Sequence, residues 1–375
     1  MKIVIAPDSF KGSLSAFSVS EAMAEGVRNV DAEADVVTVP MADGGEGSIE
    51  ALEKWVSKEI PVKVKGPAGD GLDTSFVILP YNGNETAFIE CARSTGITLV
   101  PDEKRNPFAL NSYGLGEQIR AAIENGCRDL VVSLGGSATT DGGTGLLQAL
   151  GYRFYDSSGQ LLPDDRNILT EIDDMDDKEV MEELAECSIT IAPDVTNPFY
   201  GKNGAAYVYG PQKGASEEDV MQLDAGLERF SGVVQKATGR HLQEIQGAGA
   251  AGGLGGALAG VLGAEMKSGF DVIAELVGLE TLLEDADLVL TGEGSLDAQS
   301  AHGKVPVSVG KIARNYDVPA VALAGVVDVE GSYEELTAVF SIQSGPCSLA
   351  EALDHRTTYK NIKHTTKQIL SLWTK

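Results

Sequence analysis

Positive charge is scarce in this chain. Lys and Arg number 29 against 56 Asp and Glu, a formal net charge of −27 at pH 7. A surface this acidic repels phosphate backbones and anionic lipid, which argues against nucleic acid or an anionic membrane as a partner. Aromatic residues are few, at 6%, which suits a base-stacking platform poorly. Cysteine is sparse too: Cys91, Cys127, Cys187 and Cys347 stand far apart with no CxxC pair. Neither a zinc site nor a disulfide framework is indicated, and a reduced, cytoplasmic setting is the expectation. Long apolar runs are missing. The run Ile3–Ala6 meets Asp8 too soon for a signal peptide, and 247–264 is too short and glycine-rich for a membrane span. A P-loop is missing as well, because Gly303-Lys304 has Ala298 and Val305 where GxxxxGK[ST] needs Gly and Ser or Thr.

What the chain has in quantity is glycine, 44 of 375 residues. The length suits two domains, and hydrophobic and charged fractions of 43% and 23% are ordinary for a globular protein. The central stretch is 129–151, DLVVSLGGSATTDGGTGLLQALG. A β-branched run, Leu130-Val131-Val132, reads as a buried strand, and Leu146, Leu147 and Leu150 are spaced like a helix face. Between them lie Gly135, Gly136, Ser137, Thr139, Thr140, Asp141, Gly142 and Gly143. Strand, glycine loop and helix is how a chain aims backbone N–H groups and a helix dipole at an anion. Asp141 is a candidate for a divalent cation. The plainer alternative is a βα turn with Thr140 or Asp141 as the N-cap.

The rest of the chain reads as α/β. Residues 2–7 and 35–39 are strands, each followed by a polar loop, Asp8-Ser9-Phe10-Lys11-Gly12-Ser13 and Asp43-Gly44-Gly45-Glu46-Gly47-Ser48. Loops after parallel strands are where open α/β sheets bind ligands. Lys11 suits a carboxylate or phosphate there, and Asp43 and Glu46 a metal or a hydroxyl, unless Asp8 and Asp43 only cap helices. Around 62–64, 75–79 and 86–90 the texture turns antiparallel, with Asn82-Gly83-Asn84 as a turn. Arg93 and Ser94 follow at a possible helix start. Asp194 stands between the strand 188–192 and a rigid Thr196-Asn197-Pro198 turn, a held position suited to a base or ligand, or simply an Asx turn. Lys202 and Lys213 are nearby in sequence. GAGAAG at 247–252 fits GxGxxG but lacks a good preceding strand, so close helix packing explains it better than nicotinamide binding. Parallel-sheet character returns at 287–291, followed by Glu293, Ser295, Asp297, His302 and Lys304. These segments predict a discontinuous Rossmann-like domain, 1–60 with 280–375, around an inserted α/β domain of mixed sheet, 61–279.

In their order along the chain, IAPDSFKGSLSA, PMADGGEGS, SLGGSATTDGGTGLLQALG, APDVTNPFYGKNGAA, GPQKGA, GAGAAGGLGG and LTGEGSLDAQSAHGKVPVSVG resemble the bacterial glycerate kinase family, type 1. The resemblance runs over nearly the whole chain. It implies two α/β domains with the active site between them, and transfer of the γ-phosphoryl of ATP to a hydroxyl of D-glycerate with Mg²⁺, with the 2-hydroxyl favoured over the 3-hydroxyl. On that basis Asp194 is expected to act on the attacking hydroxyl, with Lys11 and Asp43 as further catalytic groups. Gly135, Gly136, Ser137, Thr139, Gly142, Gly143 and Lys304 are expected at the nucleotide and its phosphates. Asp8, Ser9, Arg93, Asn197 and Asp297 are expected at the substrate, and Asp141, Glu46 and Glu293 at the metal. A monomer or homodimer with small-molecule partners is expected. The chain departs from the family at Thr140, Ser295, Lys202 and the Ala92–Gly96 segment.

Overall fold

The computed structural model describes residues 1–45, 47–193, 195–296, 304–328 and 330–374. Glu46, Asp194 and Asp297, three of the candidates above, lie outside the described residues, as does His302. The chain divides into two compact units. The first holds Met1–Asp43, Gly47–Trp55 and Phe270–Lys375, and the second Gly44–Glu46 and Val56–Gly269. In chain order the strands are β1 (Lys2–Ile5), β2 (Asp35–Thr38), β3 (Lys58–Lys65), β4 (Gly71–Tyr81), β5 (Asn84–Glu90), β6 (Asp129–Leu134), β7 (Arg153–Tyr155), β8 (Asp174–Asp176), β9 (Ser188–Pro193), β10 (Glu265–Met266), β11 (Leu288–Leu296), β12 (Ala320–Val327) and β13 (Ala338–Ser341).

The first unit is built on one parallel sheet, ordered β13-β12-β11-β1-β2. β1 is a continuous apolar run buried on both faces, as an interior parallel strand should be. The helix Ala16–Arg28 starts at Ser15, whose hydroxyl accepts the Ser18 N–H at 3.3 Å. Its apolar face, Val19, Met23 and Val27, joins Ile3, Ile5, Leu288, Leu290 and Leu323 in one core. The closing helix His355–Trp373 packs on it so closely that a Cβ at Gly26 would lie 2.7 Å from the Lys363 carbonyl oxygen. From β1 the chain crosses to β2 on one side; from β11 it crosses through the helix Val305–Asn315 to β12 on the other. The strand order therefore reverses between β1 and β11. In an open α/β sheet, the crevice outside the carboxyl ends of such a pair is where a ligand fits.

The second unit has a mixed sheet, ordered β10-β9-β6-β5-β4-β3. β3, β4 and β5 form an antiparallel meander, and β5, β6, β9 and β10 run parallel. Asn82 and Gly83 join β4 to β5 with φ of 51° and 83°, the two left-handed positions that a two-residue hairpin turn of the right twist demands. Val132 of β6, Leu146, Phe154, Phe199 and Phe230 share the core, where Phe154 meets Phe230 edge to face at 5.9 Å. β7 and β8 form a small separate two-stranded antiparallel sheet. Among the described residues no helix is long and apolar enough to cross a membrane.

Candidate active site

The first unit places a hollow of about 320 Å³ at its switch point. Two backbone hydrogen bonds aim the chain into it. The Ala6 N–H donates to the Leu290 carbonyl and the Asp8 N–H to the Gly292 carbonyl, both at 2.8 Å. The Thr291 hydroxyl adds a third tie, to the Ala6 carbonyl at 2.8 Å. Asp8, Lys11 and Asp43 from the loops after β1 and β2 then line the hollow with Glu293 and Lys304. Lys11 Nζ lies 3.2 Å from Asp43 Oδ2, and Lys304 Nζ lies 3.5 Å from Glu293 Oε2. Lys304 is also the residue preceding the helix Val305–Asn315, so its ammonium and the positive end of that helix share one corner. Three carboxyls here stand against two lysines, Asp8 among them. Asp8 is buried, and that burial, with the charge of Asp43 next, pushes its carboxyl up to about 7. The Ser9 N–H, 2.6 Å from Asp8 Oδ1, works in the opposite sense. Among the described carboxyls Asp8 is thus one able to exchange a proton near neutrality, and the lysines are placed to meet anionic oxygens.

The glycine loop of the second unit divides into two parts with different work. Gly135, Gly136 and Ser137 line a smaller hollow of about 180 Å³, next to Ala251 and Lys213. Lys213 is buried, 3% exposed, and its ammonium donates to the Ser137 hydroxyl at 2.8 Å and to the Thr139 carbonyl at 2.7 Å. Burying an ammonium costs several kcal/mol unless hydrogen bonds offset it, so this cation is fixed beneath the loop by design of the contacts. Sequence reading noted Lys213 without assigning it a role. Its signal was a lysine between two turn glycines in GPQKGA, too short a pattern to point at a loop far away in sequence.

Several candidates hold contacts within the fold. Asp141 was expected at a metal. It is fully buried, and Oδ2 accepts from the Ser112 N–H at 2.8 Å, the Ser112 hydroxyl at 2.7 Å and the Gly145 N–H at 3.2 Å, while Oδ1 accepts from the Gly143 N–H at 3.1 Å. Four donors saturate it, so it ties the loop to the start of the helix Thr144–Ala149. Gly142 and Gly143 were expected to cradle phosphate, but both face the core. The Gly142 N–H donates to the Gly252 carbonyl at 3.0 Å, and a Cβ at Gly143, with φ of 79°, would lie 2.4 Å from the Ala257 Cβ. Thr139 and Thr140 are likewise buried, and neither lines the smaller hollow. Arg93, expected at the substrate, binds the Ser75 hydroxyl at 2.9 Å and lies 3.5 Å from both Glu59 and Glu90. Asn197, also expected there, donates to the Asn203 carbonyl at 2.8 Å and accepts from the Tyr209 hydroxyl at 2.7 Å, closing its own loop.

The GAGAAG segment does pack closely. Ala251, Gly252 and Gly253 take left-handed backbone angles, and a Cβ at Gly252 would lie 2.0 Å from the Thr139 carbonyl oxygen. Glycine is required there for contact with the 135–143 loop. Among the described residues no group of three or more His, Cys, Asp or Glu side chains is placed to hold a metal ion. Asp43 and Glu293 are each beside a lysine.

The first unit has a parallel sheet with a charged hollow at its switch point, and the second has a glycine-lined and lysine-backed hollow; each is suited to a small anionic ligand. The glycerate kinase family pattern matches residues 3–374. Glycerate 2-kinase of Escherichia coli K12 is 42% identical over 373 residues, covering 98% of this chain and 97% of its own. Glycerate kinase of Bacillus subtilis 168 is 41% identical over 363 residues, covering 96% and 94%. A glycerate kinase 2 crystal structure from Salmonella typhimurium LT2 superposes with a TM-score of 0.87 at 38% identity, over 100% of this chain and 98% of that one. The chain belongs to the glycerate kinase family, and it is an enzyme of that kind, an ATP-dependent kinase of glycerate.

Proposed function

We propose that the enzyme phosphorylates D-glycerate at its 2-hydroxyl, with Mg²⁺ accompanying ATP. The observation that carries the reading is the switch-point hollow, where Lys11 and Lys304 stand beside the near-neutral carboxyl of Asp8. Phosphoryl transfer asks for positioning and charge neutralisation more than covalent chemistry. In this reading Lys11 and Lys304 meet the carboxylate or phosphoryl oxygens, and Asp8, Ser9 and Asp43 orient the hydroxy acid. Gly135, Gly136 and Ser137 offer backbone donors to phosphate, with Lys213 behind them. Asp194 is assigned the proton of the attacking hydroxyl, and Asp297 a place at the substrate. Mg²⁺ is held in kinases by one or two carboxylates plus phosphate oxygens, not by a protein cage. Glu46 and Glu293 are the carboxylates that would hold the ion. Preference for the 2-hydroxyl draws on the Escherichia coli relative named glycerate 2-kinase. The acidic chain with scattered cysteines supports a cytoplasmic setting.

The test is ADP release from ATP and Mg²⁺ with D-glycerate and, separately, L-glycerate, with the product position read by phosphorus NMR. Turnover with D-glycerate alone and a phosphorus signal coupled to a single proton, the one on carbon 2, is expected. A signal coupled to the two methylene protons on carbon 3 would move the assignment to the 3-hydroxyl.

A further inference from the structure

One wall of the first unit's hollow does not match a three-carbon hydroxy acid. Val326 in β12, Ile342 just after β13, and Leu349 and Leu353 on the short helix Leu349–Leu353 line the same hollow as Asp8, Lys11 and Lys304. Val326 is 63% exposed and Leu349 75%, apolar surface that water covers at a cost. Glycerate carries a carboxylate and two hydroxyls and has no apolar face to lay against it. The co-substrate does: a purine base has two flat apolar faces and a polar edge. Gln343, half-buried in this wall, carries an amide that donates and accepts, the group that pairs with the edge of adenine.

The wall is anchored to the loop that carries Lys11. The Ser348 hydroxyl accepts the Glu351 N–H at 3.3 Å, and the Glu351 carboxylate accepts the Ser348 N–H at 2.9 Å, a capping box that fixes the short helix. The Ser13 hydroxyl donates to the Thr358 hydroxyl at 2.8 Å. Leu353 reaches within 3.8 Å of where a Cβ on Gly12 would stand. Apolar wall and ionic floor are therefore one construction. Its volume of about 320 Å³ falls in the range of small-molecule sites and exceeds what glycerate fills.

We propose that Val326, Ile342, Leu349 and Leu353, with Gln343 at the edge, form the subsite for the purine base of ATP, the phosphates extending toward Lys11 and Lys304. The proposal rests on the kinase reading and adds the location of the base. Leu349→Asn and Val326→Asn test it at exposed, uncharged positions. In each, KM for ATP rises at least about tenfold, while KM for glycerate stays within about twofold, the loss of one apolar contact to the base. Calorimetry on the enzyme without glycerate gives a second readout. ADP binds the variants at least about tenfold more weakly, whereas tripolyphosphate, which lacks the base, binds variants and wild type alike. Unchanged ADP affinity in both variants, or an equal loss for tripolyphosphate, overturns the subsite. Absence of glycerate-dependent ADP release by the wild type, with ADP binding intact and weakened in the variants, overturns the kinase reading and leaves the subsite standing.

Discussion

Lys213 Nζ and Ser137 Oγ lie 2.8 Å apart, both residues buried, joining a turn to a glycine loop 76 positions earlier in the chain. With the second bond, to the Thr139 carbonyl at 2.7 Å, the ammonium holds Ser137 and Thr139 in one arrangement. Removing it leaves two buried acceptors without their donor. Lys213→Met is expected to lower stability by about 2–4 kcal/mol, since hydrogen bonds to charged groups contribute about 1.5–3 kcal/mol each. Urea unfolding measures that. Steady-state kinetics should show KM for the phosphate-bearing substrate raised as well; a variant that loses stability and keeps every kinetic constant would confine Lys213 to folding.

Asp141 gives the cleanest separation between a metal role and a structural one. Asp141→Asn keeps the shape but replaces an acceptor oxygen with a donor among four converging donors. We expect a loss of about 2–3 kcal/mol in unfolding free energy, with the Mg²⁺ concentration for half-maximal activity unchanged. A rise in that concentration with activity restored by excess Mg²⁺ would return Asp141 to the metal.

Asp8 predicts a pH dependence with a definite sign. Its carboxyl is raised from 3.8 to about 7, so across that window the folded protein holds a proton that the unfolded chain releases. Stability contributed by the neutral carboxyl is present below the unfolded value and lost as pH rises through the folded one. Asp8→Asn removes the loss. In the ligand-free enzyme the variant should therefore unfold at higher urea than wild type at pH 8, by on the order of a few kcal/mol, and match it near pH 4. Its kcat/KM should fall at least about a hundredfold, as for a group that positions or activates substrate. A variant no more stable than wild type at pH 8 would show that the carboxyl is not desolvated.

Arg93 should prove structural. It faces Glu90, which is buried, and the exposed Glu59 and Ser75 of the neighbouring strands. Arg93→Ala is expected to cost about 1–2 kcal/mol, more than a surface ion pair does because Glu90 is buried. KM for glycerate should stay within about twofold of wild type. A large rise in KM without loss of stability would place Arg93 at the substrate.

The α/β class was legible because it rests on local patterns. Buried β-branched runs such as Lys2–Ile5 and Asp129–Leu134 and the left-handed Asn82-Gly83 turn each carry their own signal in a few residues. The same locality leaves the glycine loop ambiguous in sequence. Gly135 and Gly143 look alike in sequence, since both follow from the need for a residue without a side chain. One lines a hollow and the other faces Ala257, and only the path of the 247–262 segment across the loop distinguishes them. Asp141 likewise reads as a ligand until Ser112 arrives from another part of the chain.

The sequence by itself determined the family, the two kinds of sheet and the polar loops that follow β1 and β2, because each is written in contiguous residues. Tertiary structure decided which loops meet. β1 and β11, nearly three hundred residues apart, become neighbours through strand order alone, and that pairing brings Asp8 and Lys11 into one hollow with Glu293 and Lys304. Burial in that hollow, not any property of aspartate in sequence, raises the Asp8 carboxyl toward neutrality, because desolvation depends on every atom packed around a charge.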